Sequence, residues 1–253
     1  MGRAGRPGRA EQGPEVAVTV WDRPERGTRG PAAVHSRAEL ATVAVELADR
    51  GGLPAVSMRA VAQALGTGQA SLYRYVSGRE DLLDLMVDAV AGEVALDVPL
   101  GGDPVEDLTA LASRTKAVQL RHPWLTDVPP EPLRLGPRSL DFLEYALRAL
   151  APVRLPGRAK MEVVALMNAL VAQFARTELQ GSDAYDAGNR RAAQAGYLSR
   201  AAGRGDRPHL AAAMAESAGA GTGTGTGTDP AEDPQVMFER AVRRVLTGLV
   251  LAE

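Results

Sequence analysis

The segment Ser57-Met58-Arg59-Ala60-Val61-Ala62-Gln63-Ala64-Leu65-Gly66-Thr67-Gly68-Gln69-Ala70-Ser71-Leu72-Tyr73-Arg74-Tyr75-Val76 reads as two short helices separated by a glycine turn. Ser57 is a good N-cap for the first, because its hydroxyl can accept one of the backbone N–H groups that a helix start leaves unpaired. Met58, Val61, Ala62 and Leu65 make that helix's buried stripe, and Gly66 closes it. The second helix follows Thr67, whose hydroxyl is placed to cap it. Leu72 and Val76, four residues apart, share its inner face, which leaves Gln69, Ala70, Ser71, Tyr73, Arg74 and Tyr75 for solvent or a partner.

The flanks read as further helices. Upstream, Ser36 and Glu39 form a capping box, Leu40, Val43, Ala44, Leu47 and Ala48 fall on one face, and Gly51-Gly52 ends the helix. Downstream, Ser77-Gly78 breaks the chain before Arg79-Glu80-Asp81. Those acids suit the positive end of a helix dipole, and Leu82, Leu83, Met86, Val87 and Val90 form an apolar side. Helical spacing then predicts helices over residues 104–120, 137–150, 158–180 and 234–251. In the last, Phe238, Val242, Val245, Leu246 and Leu249 make one continuous stripe. No strand pattern competes, so the fold class expected is all-α. The Gly-Thr alternation over residues 219–228 reads as a linker, having no side chains to bury, and residues 1–30, rich in Gly, Pro and Arg, as a disordered arm.

Two short helices around a tight turn, the second with an outward face of Gln, Ser, Tyr and Arg, are what a helix-turn-helix requires. Gln can pair with adenine edges, Arg with guanine, Ser and Tyr with bases or phosphates, and Ala70 can meet a thymine methyl. A helical hairpin packed inside an all-α domain has the same periodicity, and spacing alone leaves both readings open. Charge bears on the choice. The 253 residues carry 29 basic and 31 acidic side chains, a formal net charge of −2. Yet residues 50–79 hold Arg50, Arg59, Arg74 and Arg79 with no acid, and residues 80–107 hold nine acids with no base. A local acid-free window is compatible with an anionic partner even in a slightly acidic chain.

Composition excludes several chemistries. There is no cysteine, and His35, His122 and His209 are scattered, so disulfides, thiol catalysis, thiolate metal sites and multi-histidine centres are ruled out. No metal or cofactor is expected. The longest greasy segment, residues 161–175, is interrupted by Glu162, Asn168 and Gln173 and is short of the about 20 apolar residues that a span requires. A soluble, cytoplasmic protein is expected.

The runs Ser57 to Gly66, Ser71-Leu72-Tyr73-Arg74-Tyr75-Val76 and Arg79-Glu80-Asp81-Leu82-Leu83 closely resemble the DNA-binding domain of the TetR family of transcriptional regulators, over roughly residues 36–90. His122-Pro123-Trp124-Leu125, Leu135-Gly136-Pro137, the closing helix and Trp21-Asp22-Arg23-Pro24 look like the branch with a tetracycline-repressor-type C-terminal domain. Thr67-Gly68 departs from the more usual apolar residue in the turn, and the Gly-Thr tract has no counterpart in the family pattern. The resemblance implies a helix-turn-helix domain over residues 31–90 and a helical effector-binding and dimerisation domain over residues 91–253.

What the resemblance implies for function is a homodimeric, ligand-responsive repressor on a palindromic operator, and no enzyme. Base or backbone contacts would come from Arg59, Gln69, Ala70, Ser71, Tyr73, Arg74 and Tyr75, and a phosphate contact from Arg79. Arg23, Arg26 and Arg29 of the arm could also reach a minor groove or phosphates. A small-molecule effector would bind among the middle helices, with His122, Trp124, Phe142, Tyr145, Asn168 and Phe174 as candidate lining. The dimer contact would fall on the two strongest helices, with Met161, Val164, Phe238, Val242, Val245, Leu246 and Leu249. Two other classes remain: a helical enzyme or small-molecule-binding protein keeping a vestigial helix-turn-helix, and a helical interaction module docking through the acids of residues 80–107, which as a solvated helix face have a simpler explanation.

Overall fold

The computed structural model describes residues 18–23, 35–129, 134–182, 185–219 and 233–251. Most of the expected arm, and the Gly-Thr linker beyond Gly219, lie outside the described residues. Among the described residues there are ten α-helices and no strand.

Local signals fix the first helices. In α1, Arg37–Gly51, Ser36 accepts the Glu39 N–H while the Glu39 carboxylate accepts the Ser36 N–H, a complete capping box. Gly52, at φ 69°, ends it in the left-handed region that only glycine enters freely. The Ser57 hydroxyl accepts the Ala60 N–H at 3.1 Å to start α2, Met58–Ala64, and Gly66, at φ 65°, turns the chain. The third helix, α3, covers only Gln69–Leu72. Its N-cap is Gly68 with no side-chain hydrogen bond, so the expected Thr67 cap is not formed. Helix α4, Arg79–Ala91, follows.

The remaining helices are α5 Pro104–Arg121, α6 Pro137–Ala149, α7 Gly157–Ser182, α8 Tyr185–Ala202, α9 Pro208–Gly219 and α10 Pro234–Leu251, with a 3-10 turn at Pro123–Asp127. Sequence periodicity had delimited no helix between residues 180 and 234.

Packing makes two bodies that share α4. Helices α1 to α4 enclose Leu40, Ala44, Val61, Leu72, Leu82 and Met86, all but inaccessible to solvent. Burying each large aliphatic side chain contributes about 1.5–3 kcal/mol. Helices α5, α7 and α10 pack together around Leu108, Leu111, Met167, Val171, Phe238 and Leu246, and α6 lies against α4, α5 and α7.

Most of the acids of residues 80–107 act as ties, although Glu80, Asp97 and Glu106 stay exposed to solvent as a solvated helix face would. Glu80 and Asp84 hold Arg134, whose side chain is 6% exposed. Asp81 holds Arg23, and Asp88 accepts the Ser139 N–H at the start of α6. Glu93 meets Arg121 and His122, Asp103 caps α5, Glu106 pairs with Arg243, and Asp107 accepts the Gly101 and Gly102 N–H groups. The acid block fastens α4 and α5 to the rest of the chain. These ties also explain why the Asp81, Glu93 and Glu106 carboxyls are depressed. Burial pushes Glu93 up, but the hydrogen bonds from Arg121 and His122 outweigh it and hold it below the ordinary carboxylate range.

Candidate nucleic-acid interface

The outward surface of the helix-turn-helix follows from the two residues that anchor it. Leu72 and Val76 are buried beneath α3 and its continuation. On the other side, Gln69, Ala70, Tyr73 and Arg74 are exposed, with Tyr73 at 54%, and Ser71 is half-buried. Arg59 is exposed on the neighbouring α2. Most of the expected contact set thus faces out from one unit with no acid in its sequence.

Two members behave differently. Tyr75, expected on the outward face, is 4% exposed and belongs to the core, where its hydroxyl accepts the His35 N–H at 3.2 Å. The reason is local: Tyr75 follows Leu72 by three residues, and the turn that continues α3, closed by the Tyr75 and Val76 N–H groups on the Leu72 carbonyl, keeps all three on the inner face. Arg79 donates to the Val56 and Leu53 carbonyls at 2.7 and 3.2 Å, tying the loop between α1 and α2 to the start of α4. Much of its donor capacity is spent inside the fold.

The back of this unit is braced by residues that sequence reading did not assign to the site. Arg37, in the first turn of α1, is 9% exposed and donates to the Tyr75 carbonyl and to the Arg23 carbonyl, both at 3.0 Å. Arg23 in turn donates to both oxygens of Asp81 at 2.7 and 2.6 Å. Asp81 also accepts the Ser77 N–H and hydroxyl. Burial pushes the Asp81 carboxyl up, but Ser77 and then Arg23 more than offset it, so it is held below the ordinary carboxylate range. A buried arginine in a first turn carries no periodic signal, and only the assembled loops reveal what Arg37 holds.

In the larger body, the candidate ligand residues separate. The His122 Nδ1 lies 2.8 Å from Asp49 Oδ1, its Nε2 lies 3.1 Å from Glu93, and the Trp124 Nε1–H donates to the same Asp49 oxygen at 2.8 Å. Tyr145 donates to the Val98 carbonyl and accepts from Arg114. Phe142 is buried, and Phe174 packs edge-on against Phe238 at 5.3 Å between centroids. Asn168 differs from these, because its Oδ1 is buried without a hydrogen-bond partner. A cavity of about 650 Å³ opens between α1, the 3-10 turn and α7, with Asp49, Trp124, Asp127, Arg176 and Gln180 in its walls. Among the six candidates, only Trp124 lines it.

The expected interface set divides in the same way. Phe238, Val242 and Leu246 are fully buried and Val164 nearly so, so they are internal core and not free surface. Leu249 is half-buried, and Met161 and Val245 are exposed at 44% and 38%. With Met161, the exposed Ala165, Ala169 and Ala172 continue one stripe along α7. No helix among the described residues is long and apolar enough to cross a membrane.

Comparison with known proteins adds to this geometry. Residues 40–86 match the model of bacterial regulatory proteins of the tetR family, and residues 99–250 match that of the tetracyclin repressor-like C-terminal domain. The HTH-type transcriptional repressor DrrR1 of Streptomyces coeruleorubidus is 37% identical over 187 residues, 72% of this chain and 69% of that protein. An HTH-type transcriptional regulator of Saccharopolyspora erythraea is 38% identical over 132 residues, 52% of this chain and 56% of that protein. Among solved structures, the Streptomyces coelicolor TetR family protein ActR in complex with (S)-DNPA matches with a TM-score of 0.66 at 26% identity, over 88% of this chain and 100% of that one. ActR in complex with actinorhodin matches with a TM-score of 0.70 at 24% identity, over 87% of this chain and 97% of that one.

Proposed function

From the premise that this chain belongs to the TetR family of bacterial transcriptional regulators, we propose that it is a homodimeric repressor, bound to a palindromic operator through α3 and released by a small-molecule effector. The observation that carries this reading is the exposed set Arg59, Gln69, Ala70, Tyr73 and Arg74, together with half-buried Ser71, on a unit braced from behind by Arg37 and Arg79. Rigid support matters because a base contact discriminates only when its side chain is held at the groove edge. Arg79 would meet a phosphate only with the donors its carbonyl bonds leave over. Residues 31–90 serve as the DNA-binding domain and residues 91–253 as the effector and dimer domain, with α4 common to both.

Dimerisation supplies the affinity that so small a reading head lacks, and sets half-sites about 34–36 Å apart or a multiple of that. The exposed apolar stripe of Met161, Ala165, Ala169 and Ala172 on α7, with Val245 on α10, supports a four-helix interface, since it is uncharged and unpartnered among the described residues. The relative ActR, solved with actinorhodin and with (S)-DNPA, supports binding of a small-molecule effector. Asn168 is the residue most suited to an effector, since a ligand donor would satisfy its unpaired buried oxygen. This role needs no catalysis and places the chain in the cytoplasm with the chromosome.

Selection of bound sequences from random duplex DNA tests the proposal. Recovery of an inverted repeat is expected. Enrichment of no motif, or of a single unrepeated half-site by a chain that stays monomeric, would contradict it.

A further inference from the structure

Residues 18–23, expected as part of a disordered arm, sit in the seam between the two bodies. Val20 is fully buried in the core. The Trp21 ring lies against Gly136 so closely that a Cβ added there would stand 2.5 Å from Cζ2, and 2.4 Å from the Asp88 carboxyl of α4. Gly136 is the N-cap of α6, with an ordinary φ of −112°, so what its missing side chain provides is space for the indole. At the other end of the segment, Arg23 grips Asp81 of α4, and its carbonyl accepts from Arg37. Arg37 and Asp81 in turn hold the Tyr75 carbonyl and the Ser77 N–H, the two ends of the stretch that closes α3.

The arm therefore touches the start of α6 with one residue and, through Arg37 and Asp81, the end of the recognition segment with another. Arg23 is turned into this seam and away from the outward surface that carries Gln69 and Arg74. We propose that residues 18–23 are a positioning strut for operator binding, with Trp21 and Arg23 fixing the recognition segment against the effector domain without touching DNA. This inference rests on the reading of the chain as an operator-binding regulator.

The test uses the full chain, the operator recovered by selection, and the variants Arg23→Gln, Arg23→Lys, Trp21→Ala and Gly136→Ala. Affinity is read by fluorescence anisotropy across a salt series, at a temperature where circular dichroism shows each variant fully folded. Arg23→Gln, Trp21→Ala and Gly136→Ala should each weaken binding by about five- to twentyfold, a span usual for coupling between sites, with the salt slope unchanged. Arg23→Lys should restore most of the loss. Gly136→Ala, acting from the effector side, should add little once Arg23→Gln is present, since both release one strut.

A salt slope lowered by about one unit in Arg23→Gln would mean a phosphate contact and would overturn the strut. Folded variants with unaltered affinity would overturn it too, leaving the arm a purely structural role. Failure of the operator-binding reading is distinguishable from both, because it shows in the unaltered chain as an absence of salt-dependent binding.

Discussion

Asp49 Oδ1 lies 2.8 Å from Nδ1 of His122 and accepts the Trp124 Nε1–H at the same distance. One carboxylate oxygen near the end of α1 thus secures the turn that follows α5, and Glu93 holds the other side of the imidazole. Trp124 is 2% exposed, and the Asp49 carboxylate is the partner of its buried N–H. Asp49→Ala should lower the unfolding free energy by about 2 kcal/mol and Trp124→Phe by about 1 kcal/mol, measured by urea denaturation. An unchanged midpoint in Asp49→Ala would mean that the clasp does not hold the two bodies together.

Arg74 and Arg79 should respond differently to truncation. Arg74 is exposed on the outward face, so Arg74→Ala is expected to leave stability within about 0.5 kcal/mol and to alter which bases the operator selection recovers. Arg79→Ala removes the donors to the Val56 and Leu53 carbonyls and should cost about 1–2 kcal/mol before any effect on DNA is counted. Paired melting curves and binding isotherms separate the two. Equal stability loss in both variants would contradict the outward facing of Arg74.

Asp81 supplies an acid-sensitive tie. Its folded-state pKa is depressed, so its stabilisation is complete above the ordinary carboxylate value of about 3.9 and is lost as pH falls through the lower folded value. Wild-type stability should therefore drop more steeply than that of Asp81→Asn between about pH 4 and pH 2, while the two curves run parallel above about pH 5. Parallel curves across the acid range would show that Arg23 and Ser77 do not bind the ionised carboxylate.

Substitutions on α10 should separate core from interface. Val242 is fully buried, so Val242→Asp places an unpaired charge in the core and should prevent folding or cost more than about 3 kcal/mol. Val245 is exposed, so Val245→Asp should leave the helical spectrum intact and shift the mass seen by light scattering from dimer to monomer. A folded Val245→Asp dimer would remove this stripe from the interface.

Much of this architecture was legible in the chain because its signals are local. Ser36 with Glu39, Ser57, Gly52 and Gly66 act within a turn of where they stand, and all perform the capping or stopping that their chemistry predicts. What failed was direction. Tyr75 sits three residues after Leu72 and beside Val76, at the edge of the inner face, where a large amphipathic side chain can turn either way. Phe238, Val242 and Val245 share one apolar stripe on α10, and periodicity cannot divide a stripe between a chain's own core and a partner. Val20 and Trp21 close the short apolar run Val16-Ala17-Val18-Thr19-Val20-Trp21, which is too brief to show what it docks against. The acids of residues 80–107 stood out as a charge run, but their partners Arg23, Arg134 and Arg243 come from distant positions that only the fold brings near.

Repression by this chain requires α3 to bind duplex DNA through phosphate and base contacts. The sharpest measurement is the affinity of the full chain for the selected operator between about 50 and 200 mM salt, beside the same titration on a scrambled duplex. The expected result is a linear fall of log affinity with log salt, steep enough to lose about a thousandfold if six or more phosphates are engaged, with the operator preferred throughout. Affinity that stays flat as salt rises, or that is equal for operator and scrambled duplex, would contradict it.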